Sequence, residues 1–126
     1  MRNIVLFTGS PVQQTELEYF LFARGGQYRP DRLKINIGSG NDWVFVSPDT
    51  STKNAIIDLE EAQEFWKRLG YVPPSCVDLH FTGTEGALNL ANTLALEMKT
   101  VWGGVIDYEA ADGGLGLPPR GLPASL

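Results

Sequence analysis

The chain has 126 residues, of which 43% are hydrophobic and 20% are charged, a length and composition typical of one soluble globular domain. Its single cysteine excludes an internal disulfide and a cysteine-based zinc site. A formal net charge of −5 argues against direct nucleic-acid binding, because a phosphate backbone would be repelled, and favours a basic protein partner. No apolar run approaches the length that spans a bilayer and the first ten residues lack the form of a signal peptide, so we expect no membrane association and a cytoplasmic location.

The first part of the chain predicts a strand, a helix and a hairpin. Residues 3–8 form a compact apolar run that is typical of a strand. Ser10 is the expected N-cap of the helix that follows, with a proline at its first position and two glycines at its end. Residues 33–37 alternate between apolar and polar side chains, and residues 43–46 return after a glycine-rich loop, which is the pattern of a β-hairpin.

A second helix is predicted to begin at Asp58, whose spacing from Glu61 matches a capping pair, and to end at Leu69 before a glycine. Three acidic residues in this segment are expected to face water. Apolar residues at helical spacing predict the buried stripe, which is Leu59, Ala62, Trp66 and Leu69, with Phe65 on its flank.

The last predicted unit is a strand, a helix and a strand. Residues 76–81 alternate with a period of two, which marks a strand with one buried face. Thr82 stands three residues before Glu85, the spacing of a capping box, and Thr84 is a rival N-cap. A long apolar stripe predicts a helix as far as Trp102, and the chain then resumes as a strand after two glycines.

These elements, in the order strand, helix, strand, strand, helix, strand, helix, strand, indicate an α+β fold. We expect a two-layer sandwich in which three helices pack on a mixed sheet of about five strands, with a ferredoxin-like arrangement of the first four strands as the nearest simple topology. Residues 1–112 form the single predicted domain. Residues 113–126 form a Gly/Pro-rich tail, a composition that normally predicts disorder, although its leucines could lie in an apolar groove of this chain or of a neighbour.

Few residues could support catalysis. His80 is the only histidine, and Asp78 lies on the same face of the same predicted strand. Cys76 would be some 13 Å from His80 along that strand, which is too far for a cysteine–histidine dyad. We therefore expect no enzymatic activity, no cofactor and no metal, and keep as an alternative a small enzyme or ligand-binding domain that uses Asp78, His80 and Ser10 in a pocket.

One segment of the chain is basic. Residues 24–34 carry four basic side chains against one aspartate. They are either a solvated loop and strand edge or a contact surface in which Tyr28 beside Arg29 forms the kind of pair that dominates interfaces.

The layout resembles the small immunity proteins that neutralise bacterial polymorphic or contact-dependent toxins. The resembling features are the compact N-terminal strand, the stretch LGYVPPSCVDLHF, the alanine- and leucine-rich helix that ends in VWGGVIDY, and the Gly/Pro-rich tail. The resemblance implies a cytoplasmic, non-enzymatic protein, monomeric or homodimeric, that occludes the active site of a cognate toxin. Many such toxins are basic nucleases, so an acidic surface would stand in for the nucleic-acid backbone.

This reading predicts two partner-binding surfaces. The first is acidic and consists of Glu60, Glu61, Glu64, Asp107, Glu109 and Asp112. The second is the polar loop from Asp49 to Lys53, together with the hairpin residues Asp42 and Trp43. A third possible function, an oligomerising structural subunit with the tail exchanged onto a neighbour, stays open at this point.

Overall fold

The computed structural model describes residues 2–30, 33–48, 52 and 59–108, and all structural statements below concern these residues. The strands in chain order are β1 (Arg2–Phe7), β2 (Gln27–Arg29), β3 (Lys34–Ser39), β4 (Asp42–Val46), β5 (Cys76–Phe81) and β6 (Val105–Asp107). The helices are α1 (Gln14–Ala23), α2 (Leu59–Leu69) and α3 (Glu85–Trp102). The Gly/Pro-rich tail and the predicted domain boundary at residue 112 lie outside the described residues.

The six strands form one sheet in the order β2-β3-β4-β5-β1-β6. The predicted α+β architecture with three helices is confirmed within the described residues. The sheet is antiparallel rather than mixed, because every described strand pair is antiparallel. The short strand β2 brings the sheet to six strands, where about five were expected.

A ferredoxin-like arrangement is present, but in different strands from the first four. Strands β4, β5, β1 and β6 are neighbours in that order, so that β1 lies between β5 and β6 and antiparallel to both. Helix α3 connects β5 to β6 across β1, which is the split βαβ connection of that topology. Strands β2 and β3 extend the sheet beyond β4 as a further hairpin.

Helices α1 and α3 cover one face of the sheet and α2 lies against the other, so the elements form three layers rather than the expected two. The α3 side chains Ala91, Leu94 and Met98 are buried in one cluster with Ile4 of β1 and Leu79 of β5. Alternate residues of the same strands point away from this cluster. The second, smaller cluster on that opposite face contains Phe7, Phe65, Leu69 and Val105.

The N-terminus of α3 is fixed by its rival N-cap. Thr84, not Thr82, caps the helix by accepting a hydrogen bond from the backbone N–H of Ala87 at 3.1 Å. The Thr84 hydroxyl in turn donates to the Asp42 carboxylate at 2.6 Å. A Cβ at Gly86 would collide with that carboxylate, so a glycine in this first turn leaves room for Asp42.

Helix α1 begins later than predicted. It starts at Gln14, and its N-cap residue Gln13 makes no side-chain capping hydrogen bond. Ser10, the predicted N-cap, donates its hydroxyl to the carbonyl oxygen of Trp102 at 3.0 Å. Its role is therefore to join the end of β1 to the C-terminus of α3, because that carbonyl has no partner within its own helix.

Candidate functional site

Helix α2 exposes two residues of the apolar stripe that the sequence predicts to be buried, whereas Leu69 of the same stripe is buried. Leu59 is 74% exposed and Trp66 is 53% exposed, whereas the flanking Phe65 is only 1% exposed. The Phe65 ring packs edge-on against Phe7, with 4.8 Å between the ring centroids and 61° between their planes. The buried-stripe prediction is therefore wrong for Leu59 and Trp66, because the second sheet face accepts the neighbouring stripe of Phe65 and Leu69.

A shallow groove of about 490 Å³ runs beside the exposed tryptophan. Its described lining is Ala62, Gln63, Trp66, Lys67 and Val72. We call the exposed residues of this region the α2 outer surface: Leu59, Glu60, Gln63, Trp66, Lys67 and Val72. Large apolar side chains that remain exposed together on one helix mark a surface suited to a protein partner, and tryptophan is enriched among the residues that dominate binding energy.

The predicted acidic surface is only partly formed. Glu60 is exposed at the first turn of α2 and Glu61 is half-buried. Glu64 accepts a hydrogen bond from Arg68 at 2.6 Å, and this bond holds the pKa of the Glu64 carboxyl below its ordinary value. Asp107 is 1% exposed, so its assignment to an exposed acidic surface is wrong: its side chain lies on the sheet face that α2 covers.

Of the other predicted contact residues, two have structural roles and four lie outside the residues that the structure describes. Asp42 is half-buried and holds the Thr84 cap. Trp43 is half-buried and donates its indole N–H to the Gly40 carbonyl oxygen at 2.8 Å. The remaining predicted residues, Asp49, Lys53, Glu109 and Asp112, lie outside the described residues.

The structure does not assemble the predicted pocket of Asp78, His80 and Ser10. His80 Nε2 is 3.3 Å from Asp78 Oδ2, and Asp78 Oδ1 accepts a hydrogen bond from Asn3 at 2.9 Å. Ser10 follows the opposite end of β1, because Asn3 pairs with His80 while Phe7 pairs with Cys76. Those two ends are about 13 Å apart along the strand, so the Ser10 hydroxyl is out of reach of the histidine.

The single cysteine is a poor nucleophile. Burial raises the pKa of the Cys76 thiol, and the nearby carboxylates of Asp78 and Glu61 raise it further. The thiolate is the reactive form of cysteine, so this thiol stays largely neutral at physiological pH. Among the described residues, no group of three or more His, Cys, Asp or Glu side chains is placed to hold a metal ion.

The sheet face opposite α1 and α3 carries a second cavity, which sequence reasoning missed. It is open to solvent and has a volume of about 360 Å³, and its described lining is Arg29, Asn36, Trp43 and Phe45. Asn36 is only 9% exposed, and its Oδ1 atom accepts no hydrogen bond from any described residue. No signal in the sequence pointed to it, because the alternation of residues 33–37 predicts that Asn36 faces water.

The basic segment is split between the two faces of the sheet. Tyr28 pairs with the buried Ile35 and so lies on the face covered by α1 and α3, where it lines a groove of about 370 Å³ with Phe22 and Leu33. Arg29 points to the other face. Adjacent residues of a strand point to opposite faces, so Tyr28 and Arg29 do not form one contact pair.

No protein-family model, curated protein sequence or solved structure matches the chain. None of the described helices is long and apolar enough to cross a membrane.

Proposed function

We propose that this protein is a non-enzymatic binding protein that uses the α2 outer surface to hold a basic protein toxin and neutralise it, as the resemblance to bacterial immunity proteins implies. One observation carries the proposal. The apolar stripe of Leu59 and Trp66 has the helical spacing of a buried surface, yet both side chains are more than half exposed. We infer that a partner protein covers these two exposed side chains.

The chemistry of the α2 outer surface suits a protein more than a small molecule. Trp66 and Leu59 are separated by seven residues and lie on the same side of the helix, two turns apart. The groove beside Trp66 is shallow and extends to Val72. A protruding tryptophan with apolar neighbours and a charged rim matches the anatomy of protein interfaces.

The charge of the whole chain, rather than that of the groove, supports a basic partner. The chain has a formal net charge of −5, whereas on the α2 outer surface the exposed Glu60 is matched by the exposed Lys67 of the groove lining. An acidic protein attracts a basic partner over distances comparable to the Debye length, so association is fast at low salt and slows as salt is added. A toxin that acts on nucleic acid would carry such a basic surface.

The test is affinity capture with the tagged full-length chain from an extract of the source cells, at low and at high salt. Three forms are compared: wild type, the double variant Leu59→Ala/Trp66→Ala, and the control Tyr19→Ala. Tyr19 is an exposed aromatic residue of α1 and matches Trp66 in chemistry but not in location. We expect wild type and Tyr19→Ala to capture the same basic protein, and the double variant to capture at least about tenfold less of it.

Neutralisation is tested by expressing the captured protein alone and together with the wild-type chain. We expect growth arrest in the first case and recovery in the second, with no recovery for the double variant. Capture that is equal for wild type and double variant would contradict the assignment of the α2 outer surface. A wild-type dimer that the double variant turns into a monomer, with no captured basic protein, would instead assign the surface to a second copy of the chain and overturn the proposal.

A further inference from the structure

The sheet face that bears the second cavity carries a continuous row of polar and aromatic side chains. The strand register places Asn36 between Gln27 and Phe45, and Phe45 next to His80. Directly opposed side chains on one face of a sheet are about 5 Å apart. Trp43 lies two residues before Phe45 on the same strand, so both rings are on this face.

Asn36 is the unexplained member of the row. Its side chain is buried in the cavity wall, and its Oδ1 atom has no donor among the described residues. A buried acceptor without a partner is costly, and in native proteins it usually indicates a missing donor. The cavity beside it has a volume of about 360 Å³, which lies within the range of small-ligand sites.

The residues that line the cavity indicate which kind of ligand would carry the hydrogen-bond donor to Asn36. The ligand has to offer an N–H group to Asn36 and a flat apolar surface to the rings of Trp43 and Phe45. Arg29, in the same lining, disfavours a cationic group and favours an anionic one or a stacked ring. A nucleobase that carries a phosphate meets all three requirements, since amino and imino N–H groups lie on its edge and its faces stack on aromatic rings.

We propose that this cavity is a binding site for a free nucleotide, with the base against Trp43 and Phe45, a base N–H donated to Asn36 Oδ1, and the phosphate towards Arg29. The net charge of −5 favours a mononucleotide over a long strand, whose many phosphates would be repelled. The site lies on the β3–β4 part of the sheet, apart from the α2 outer surface, and does not depend on the function proposed above.

The test is a titration of the full chain with AMP, GMP, CMP and UMP, followed by nuclear magnetic resonance of the Trp43 indole N–H and the Asn36 side-chain amide. At least one nucleotide is expected to shift both signals in a saturable manner. The Asn36→Leu variant keeps the size of the side chain but removes the acceptor, and it is expected to bind the nucleotide at least about tenfold more weakly than wild type. Asn89→Leu is the control, because Asn89 is exposed on α3.

A second variant guards against misfolding of the first. Phe45→Leu keeps an apolar side chain on the strand but removes one stacking face, and it is expected to weaken binding while the circular dichroism spectrum stays that of wild type. Unshifted signals with all four nucleotides would overturn the proposal. So would equal binding by folded Asn36→Leu, or binding of a short single-stranded oligonucleotide without binding of any mononucleotide, which would make the site a strand-binding surface.

Discussion

Substitutions at two adjacent residues test which face of α2 is buried. Phe65 is 1% exposed and its neighbour Trp66 is 53% exposed. Replacing Phe65 by alanine leaves a cavity against Phe7 and is expected to lower the free energy of unfolding by about 3–5 kcal/mol. Replacing Trp66 by alanine removes a larger side chain, yet more than half of its area is already in water, so the expected loss is about 1 kcal/mol or less.

Both variants are measured by urea denaturation followed by far-ultraviolet circular dichroism, because tryptophan fluorescence would itself change with Trp66. With a slope of about 1.5 kcal/mol per molar urea, the unfolding midpoint is expected to fall by about 2–3 M for Phe65→Ala and by less than about 1 M for Trp66→Ala. A Trp66→Ala loss as large as the Phe65→Ala loss would show that Trp66 is a core residue, and the reasoning that makes it a contact residue would fail.

Three further predictions concern stability. Gly86→Ala would ordinarily strengthen a helix, but here it is expected to lower the unfolding midpoint because the new Cβ meets the Asp42 carboxylate. In an Asp42→Ser background the same change should be neutral or stabilising. Equal effects in both backgrounds would contradict the contact. Thr84→Ala removes the α3 cap and should cost about 1 kcal/mol in the same assay. Burial raises the pKa of the Cys76 thiol and of the Tyr71 phenol, so the folded state keeps protons that the unfolded chain releases above about pH 8.5. The urea midpoint of unfolding should therefore fall as the pH rises from there, and fall less steeply in Cys76→Ala. A midpoint that does not change with pH would refute this.

The fold was predictable from the sequence where patterns were local and strong. Strand β5 and helix α3 follow the alternation, the stripe and the glycine stop. The hairpin of β3 and β4 follows its glycine-rich loop, which the register narrows to Gly40 and Asn41 between the paired Ser39 and Asp42. Each of these features depends on residues close together in the chain.

The errors arose where distant parts of the chain decide the outcome. The segment of α2 contains two apolar stripes, and only the position of Phe7 on the second sheet face determines that Phe65 is the buried one. The burial of Asp107 follows from the pairing of β6 with β1 at the sheet edge, which no local pattern reveals. Strand β2 has three residues, too few for an alternation to be recognised.

The candidate surfaces were predictable only in part for the same reason. Glu60 could be assigned to an exposed helix turn because it lies outside the apolar residues of the predicted helix. The exposure of Trp66 and the cavity around Asn36 depend on which face of an element meets the body of the protein. Sequence periodicity predicts that one face is buried, but the packing partner decides which face that is when a segment offers more than one.

The dissociation constant of the captured partner shows whether the α2 outer surface holds a basic protein. Isothermal titration would compare wild type, Trp66→Ala and Tyr19→Ala with the purified partner in one buffer. We expect Trp66→Ala to bind at least about tenfold more weakly than wild type, equivalent to about 1.4 kcal/mol or more, and Tyr19→Ala to bind within about twofold of wild type. Equal affinity of Trp66→Ala and wild type would contradict this expectation.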